Sequence, residues 1–469
     1  MAATKKEPVV ITCAGPLNAP IGGLLTWVDQ RFPLVSQWKD HMSEYYAPKN
    51  FNFWYYFGSL AMVILVLQIV TGIFLTMHYK PSAAEAFASV EYIMRDVPGG
   101  WLIRYLHSTG ASAFFVVIYL HMFRGLLYGS YRAPRELIWI FGMVLYLALM
   151  AEAFFGYLLP WGQMSFWGAQ VIINLFDALP LIGPPLSEWI RGDFVVGDAT
   201  LNRFFAFHVI AIPLAILGLV AAHILALHEV GSNNPDGVEI KENKNEKGVP
   251  VDGIPFFPYY VVKDALGVVV FAAVFCTILF FAPEMGGYFL VYNNFVPADP
   301  LKTPSHIAPV WYFTPYYSIL RAVTEDFMWA LRAGVVAYTL LILFTARGCM
   351  PKLLAVLIAP VVLIAMGVIE AKVWGVVLMG VASMIFFLMP WLDKSPVKSI
   401  RYKGALSRWA LTIFTVVFLV LGYYGTQSVT DAGTLISQIG TLIYFAFFLL
   451  MPWYTQMEKT LPVPDRVTM

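Results

Sequence analysis

The chain has 469 residues, 59% hydrophobic and 13% charged, with a mean hydropathy of +0.69; soluble domains carry far more charge, so this composition marks an integral membrane protein. With 30 Lys and Arg against 29 Asp and Glu the net charge is +1, which excludes nucleic-acid binding driven by a basic surplus and a solvating acidic tail. The three cysteines, Cys13, Cys276 and Cys349, form no CxxC, no CxxCH and no paired framework, so any redox group is expected to be held non-covalently.

Residues 1–50 carry Lys5 and Lys6 but no long apolar core ahead of their prolines, which argues against a cleaved signal peptide and for an interfacial segment. A bilayer core about 30 Å thick takes roughly 20 apolar residues per helix. Ten windows qualify: Phe53–Met77, Gly110–Tyr128, Leu137–Leu159, Phe204–Leu227, Ala265–Pro283, Met328–Ala346, Leu353–Ile369, Val373–Leu392, Trp409–Tyr424 and Leu435–Met451. The predicted fold is therefore an all-α integral membrane protein of about ten transmembrane helices.

Arg124, Arg132 and Arg135 close the second helix, Arg347 and Lys352 follow the sixth, and Lys394, Lys398, Arg401, Lys403 and Arg408 follow the eighth. With ten helices these basic loops share one side, the cytoplasmic one by the positive-inside rule, and both termini are expected there. The loop from Gly425 to Thr434 has no Lys or Arg, as the opposite side requires. Two long loops rich in Gly, Pro and aromatics, Trp161 to Arg203 and Glu284 to Asp326, fall on that opposite side, where such loops fold over a site. The charged run Glu239 to Lys247 reads as solvated surface.

Four of the eight histidines fall in or beside two predicted helices, His107 and His121 in the second and His208 and His223 in the fourth. Ionisable groups are costly in a membrane and point to function. The first pair is 14 residues apart, nearly four turns, so both rings share one face about 21 Å apart along the axis. The second pair is 15 apart, roughly 60° out of line on an ideal helix, with Pro213 between them as a source of kinking or unwinding. Singly, each histidine reads as readily as a satisfied polar residue at a helix contact. Together they fit two bis-histidine haems stacked across the bilayer, a ligation that serves electron transfer.

Gly58 and Gly72 in the first helix and Gly142 and Gly156 in the third repeat the 14-residue interval, leaving room for close approach at the same depths. Arg104, Arg124 and Arg203 stand near the histidines as partners for haem propionates, or as ordinary interfacial anchors.

The strings Arg104-Tyr-Leu-His107, Gly156-Tyr-Leu-Leu-Pro-Trp-Gly-Gln-Met-Ser165, Asn202-Arg-Phe-Phe-Ala-Phe-His208, His223-Ile-Leu-Ala-Leu-His228-Glu-Val-Gly-Ser-Asn-Asn-Pro235, Lys263-Asp264 and Pro390-Trp-Leu-Asp-Lys-Ser-Pro resemble cytochrome b of the respiratory cytochrome bc complex, the quinol:cytochrome c oxidoreductase. The resemblance spans nearly the whole chain. It implies that His107 and His208 hold the low-potential haem b near the outer face, and His121 and His223 the high-potential one near the cytoplasm. It implies a quinone-reducing site at His228, Ser232, Lys263 and Asp264. A quinol-oxidising pocket is implied at Tyr157, Gly168, Pro309, Val310, Trp311, Tyr312 and Tyr317. Because the chain has no Fe–S or haem c motif, the resemblance also implies a separate Rieske protein and a cytochrome c-type subunit, in a dimeric complex of a bacterial inner membrane.

The organisation expected is an interfacial segment (1–50), a dihaem four-helix bundle (51–235), a cytoplasmic loop with the fifth helix and quinol-site loop (236–323), an inserted hairpin (324–372) and three C-terminal helices (373–469). Three departures from the family stand out: the 15-residue interval from His208 to His223, Pro-Val-Trp-Tyr where the family has Pro-Glu-Trp-Tyr, and the inserted hairpin. Val310 cannot take a proton, so Glu152 or His306 is the candidate acceptor for the quinol proton, with Tyr157 and Tyr317 orienting the quinol. A dihaem anchor of another quinone-linked enzyme and a haem-free proton-coupled transporter are the alternative readings.

Overall fold

Residues 18–468 are described by the structure, a computed structural model. Ten helices among them are long and apolar enough to cross a bilayer: α1 Phe53–Thr76, α2 Gly100–Tyr128, α3 Glu136–Leu158, α4 Asp198–Val230, α5 Phe256–Phe281, α6 Phe327–Thr345, α7 Cys349–Val368, α8 Ala371–Leu392, α9 Ala405–Thr426 and α10 Asp431–Leu449. The number and the all-α character are as hydropathy predicts, since a helix satisfies its own backbone where no water can. The one regular sheet among the described residues pairs β1 Tyr46–Pro48 with β2 Gly253–Pro255, antiparallel, tying the N-terminal segment to the loop before α5.

The expected helix ends need correction. α2 starts at Gly100 rather than Gly110, α4 at Asp198 rather than Phe204, and α5 at Phe256 rather than Ala265, so Arg104, His107, Arg203, Lys263 and Asp264 all lie inside helices. Polar residues pull a hydropathy window below threshold, but tertiary partners satisfy them: Thr109 donates to the Pro283 carbonyl (3.1 Å) and Ser59 to Asp264 (2.5 Å).

α1 lies along α2, and α3 along α4. A second group, α8, α9 and α10, closes around the short helix Thr314–Ala322, with Ile319, Leu421, Tyr444 and Phe448 fully buried. Trp139 of α3 joins the two groups by donating to the Phe386 carbonyl of α8 (2.7 Å). The α6–α7 hairpin packs on α8 through Phe327, Met328, Met366 and Ala371, and Thr345 accepts from Trp453 (2.7 Å). Its outer side, with Phe344 and Val368 each over 80% exposed, is apolar. The hairpin is thus attached at the edge of the C-terminal group.

The two long loops fold onto each other: Gln163 N–H donates to Val296 O (2.9 Å) and Ala298 N–H to Trp161 O (3.0 Å). On the opposite, basic face, Glu239 is half-buried and gripped by Arg135 (2.7 Å) and Lys398 (2.5 Å), so it departs from the solvated surface expected of its run; residues 241–248 are exposed. The C-terminal tail closes this face, Arg466 bonding Asp252 at 2.7 and 2.8 Å and Thr468 N–H bonding Asp236 at 2.7 Å.

Asp393, fully buried just past α8, holds Lys403 (2.6 Å), Tyr131 (2.7 Å) and Arg132 (3.8 Å). Burial alone would raise its pKa, but Lys403 and Arg132 outweigh it and hold the carboxyl below its ordinary value. A folded-state pKa below the unfolded value of about 3.9 means that the stabilisation is complete above roughly pH 4 and is lost as pH falls further. Asp393→Ala, which strands the buried Lys403, should cost about 3–5 kcal/mol at neutral pH. Detergent thermal unfolding of Asp393→Ala against the Asp393→Leu/Lys403→Met double variant checks this, the double variant being expected to recover most of the loss.

Candidate functional site

Within the four-helix group, His107 of α2 faces His208 of α4 with ring centroids 6.0 Å apart, and His121 faces His223 at 6.5 Å. Those separations are too long for direct hydrogen bonding between rings. They match two metal–nitrogen bonds of roughly 2 Å each plus the half-widths of the rings. In the first pair Nδ1 is already engaged: Thr71 Oγ1 accepts from His107 (2.9 Å), and the Glu152 main-chain carbonyl accepts from His208 (2.9 Å), with a Glu152 carboxyl oxygen 3.0 Å from the same nitrogen. An Nδ1 that donates fixes the tautomer and leaves the Nε2 lone pair free, the arrangement of a metal-ligating imidazole.

The extra residue between His208 and His223 is absorbed by a π turn, Phe207–Ala211, in which Ile212 N–H reaches back to Phe207 O. A π turn inserts one residue without breaking the helix. Pro213, with no N–H to donate, follows directly.

The glycines sit opposite the same four rings. A Cβ on Gly58 would meet His121 Cε1 at 3.4 Å, one on Gly72 His107 Cε1 at 3.3 Å and one on Gly142 His223 Cε1 at 3.4 Å, while one on Gly156 would overlap the His208 ring. Each imidazole therefore lies against a glycine of the neighbouring helix. Arg104 Nη1 and Arg124 Nε are buried without a protein partner, as suits cations beside an anionic group. Arg203 is different: it is exposed and donates to the Trp189 carbonyl.

A narrow cavity near the long loops is lined by Phe154, Tyr157, Leu158, Ser165, Gly168, Pro309, Val310 and Phe313 among others, and the buried Tyr157 hydroxyl has no partner. Trp311 donates to Ser112 (3.1 Å) and Tyr312 stacks on Phe115 (3.8 Å), fixing the Pro309–Tyr312 stretch. Glu152 and His306 do not line this cavity. Two residues along a helix turn the side chain by about 200°, so Glu152 faces His208 while Phe154 faces the cavity; His306 Nε2 donates to Thr426 O (3.0 Å). Tyr317 bonds Ile307 O (3.4 Å) under Arg321, likewise off the lining.

At the basic face His228 is met by two residues that sequence reasoning passed over. Its Nδ1 is 2.7 Å from His41 Nδ1, and Tyr45 stacks on it at 4.3 Å while bonding Ser232 (3.0 Å). Lys263 is turned to the Phe51 carbonyl (2.5 Å), and Asp264 accepts from Ser59. His41 lies 187 residues from its partner, and no local pattern marks it.

Comparison with known proteins agrees with this geometry. Residues 42–231 match the family model "Cytochrome b/b6/petB" and residues 297–445 "Cytochrome b(C-terminal)/b6/petD". The chain is 58% identical to a cytochrome b of Allochromatium vinosum, over 95% of this chain and 98% of that protein, and 44% identical to one of Rickettsia prowazekii, over 94% and 96%. Among solved structures it is similar to a chain of a hyperthermophilic respiratory Complex III, with TM-score 0.75 and 34% identity over 92% of this chain and 99% of that one.

Gly156→Ala should force the His208 ring aside at a cost of about 1–3 kcal/mol, whereas Gly218→Ala, with nothing within 4 Å of the added carbon, should leave stability unchanged or slightly raised. Parallel thermal scans of the two variants check the difference.

Proposed function

The chain belongs to the cytochrome b/b6 family, and on that premise we propose that it is the catalytic dihaem subunit of a quinol:cytochrome c reductase in a bacterial inner membrane. The observation that carries the reading is the pair of facing histidine couples, each backed by glycines and flanked by an arginine with an unpaired buried nitrogen. His107 and His208 would hold one haem b, His121 and His223 the other, with Arg104 and Arg124 meeting propionates. When bound, the two groups supply one-electron iron couples in line across the bilayer.

The chain's own residues do the rest. Thr71 and Glu152 orient His107 and His208 through Nδ1. The outer cavity excludes water with Leu158, Val310 and Phe313 and offers the Tyr157 hydroxyl to a quinol. With valine in the motif, no carboxylate lines the cavity. A quinol proton leaves through Tyr157 and water, and Glu152 serves His208 rather than the quinol. One electron goes to a Rieske-type partner, the other across the membrane to quinone at His228, Ser232, Lys263 and Asp264 near the cytoplasmic, basic face. This reading includes a cytochrome c-type subunit and a dimeric complex, with both termini in the cytoplasm. The inserted hairpin packs at the periphery against lipid or a further subunit.

The test is a reduced-minus-oxidised spectrum together with quinol-dependent cytochrome c reduction by the purified complex. Two b-type signals and turnover are expected; absence of haem would overturn the reading. Replacing His107 or His208 by leucine should remove one signal, and His121 or His223 the other. Thr71→Val should raise the midpoint potential of the haem at His107, because an acceptor on Nδ1 makes the imidazole a stronger donor to iron. Redox titration measures that shift.

A further inference from the structure

The geometry points to His41 as a relay residue that supplies the proton His228 delivers at the quinone-reducing site, an inference that rests on the reading above and extends it to a residue outside the matched strings. The two Nδ1 atoms are 2.7 Å apart, so one must carry hydrogen and the other a lone pair. The ring centroids are 4.9 Å apart and tilted by 37°, which brings the two nitrogens edge to edge rather than stacking the rings. Tyr45, stacked at 4.3 Å and 10° on His228 and bonded to Ser232, holds that ring in place. His41 sits in a π turn, Lys39–Ser43, half-buried, with exposed Asp40 and Glu44 near it in sequence.

The proton step balances on the pair itself. With His41 as imidazolium and His228 neutral, protonated at Nε2, the Nε2 proton of His228 leaves for a quinone oxygen. The Nδ1 proton of His41 crosses to His228 Nδ1, leaving two neutral imidazoles; once the quinol has left, water entering the site protonates His228 Nε2 and the Nδ1 proton passes back to His41, which restores the pair. The quinone receives its two electrons as proposed above, and this pair supplies one of its two protons. A histidine pair suits the task because each imidazole can take a proton on one nitrogen while giving one up from the other.

The charged and titratable groups bearing on the pair are few. Lys241 donates to the His228 and Glu229 carbonyls (3.2 and 2.7 Å), Arg135 is tied to Glu239, and Lys39, Asp40, Glu44 and Tyr45 stand on the His41 side. The segment packed against the His41 turn, Phe256–Tyr260, brings only Tyr259, which is exposed, and Tyr260, whose hydroxyl donates to Pro48 O. Lys263 and Asp264 are held by Phe51 O and Ser59.

The experiment uses the whole complex with haems pre-reduced and follows their reoxidation by added quinone. In His41→Gln, which keeps a hydrogen-bond donor but cannot titrate, and in His41→Ala, reoxidation should slow tenfold or more. Its dependence on pH should flatten, and added imidazole should restore rate to His41→Ala. Quinol-driven haem reduction at the outer pocket and both haem spectra should be unchanged. Wild-type rates and pH profiles in both variants overturn the inference. So does slowing with an unchanged pH profile and no imidazole rescue, which is the signature of a structural role. If the unaltered complex shows no quinone-dependent reoxidation, the functional reading falls as well; if it does and the variants match it, only the inference on His41 falls.

Discussion

The placement of four imidazoles inside a bilayer depends on four missing side chains. α1 and α3 each carry a glycine at the two depths where α2 and α4 present a histidine, and at each the first carbon of any side chain would stand within 3.4 Å of the ring or inside it. Small residues are the general means by which membrane helices approach closely, because lipid offers no hydrophobic drive to press them together. Here the space is given to an imidazole rather than to a neighbouring backbone. His107 and His208 are set from two sides, by the glycine face and by an Nδ1 acceptor, whereas the Nδ1 atoms of His121 and His223 are buried without a partner.

The rest of the bundle accommodates this requirement. α4 must bring two rings to one face from positions 15 apart, and the π turn before Pro213 supplies the rotation that an ideal helix lacks. The carboxyl group of Glu152 stands at membrane depth beside the His208 ring, one oxygen 3.0 Å from Nδ1 and the other without a partner. Around the bundle, the long loops lock to each other on one face. On the other, three buried or half-buried acidic centres, Asp236, Glu239 and Asp393, collect the basic residues of loops far apart in sequence. Positive charge that orients a membrane protein is thereby also used to hold its loops together.

The two candidate quinone regions are built differently. The outer cavity is apolar with one unpaired hydroxyl, a surface that holds a ring and offers a single hydrogen bond. The region at the basic face is polar, with His41, His228, Tyr45 and Ser232 joined in a chain of contacts and Lys263 and Asp264 already engaged. On the function proposed above, release of protons on one side and uptake on the other call for such an asymmetry.

Much of this was legible from the chain alone, because the signals are local or periodic. Ten apolar windows give ten helices, since the cost of burying charge in lipid acts residue by residue, and a 14-residue spacing places two rings on one face whatever surrounds them. Only the tertiary structure decided what depends on distant partners. α2, α4 and α5 extend past their hydropathic ends, where Thr109, Asp198 and Asp264 find hydrogen-bond partners on other segments. Glu152, expected from its position to serve the quinol, turns to His208, since helical phase sends it away from the face that lines the cavity. His41 meets His228 across 187 residues because β1 pairs with β2 and brings the N-terminal segment over the end of α4. No periodicity encodes such a meeting; it arises only when the chain has folded back on itself.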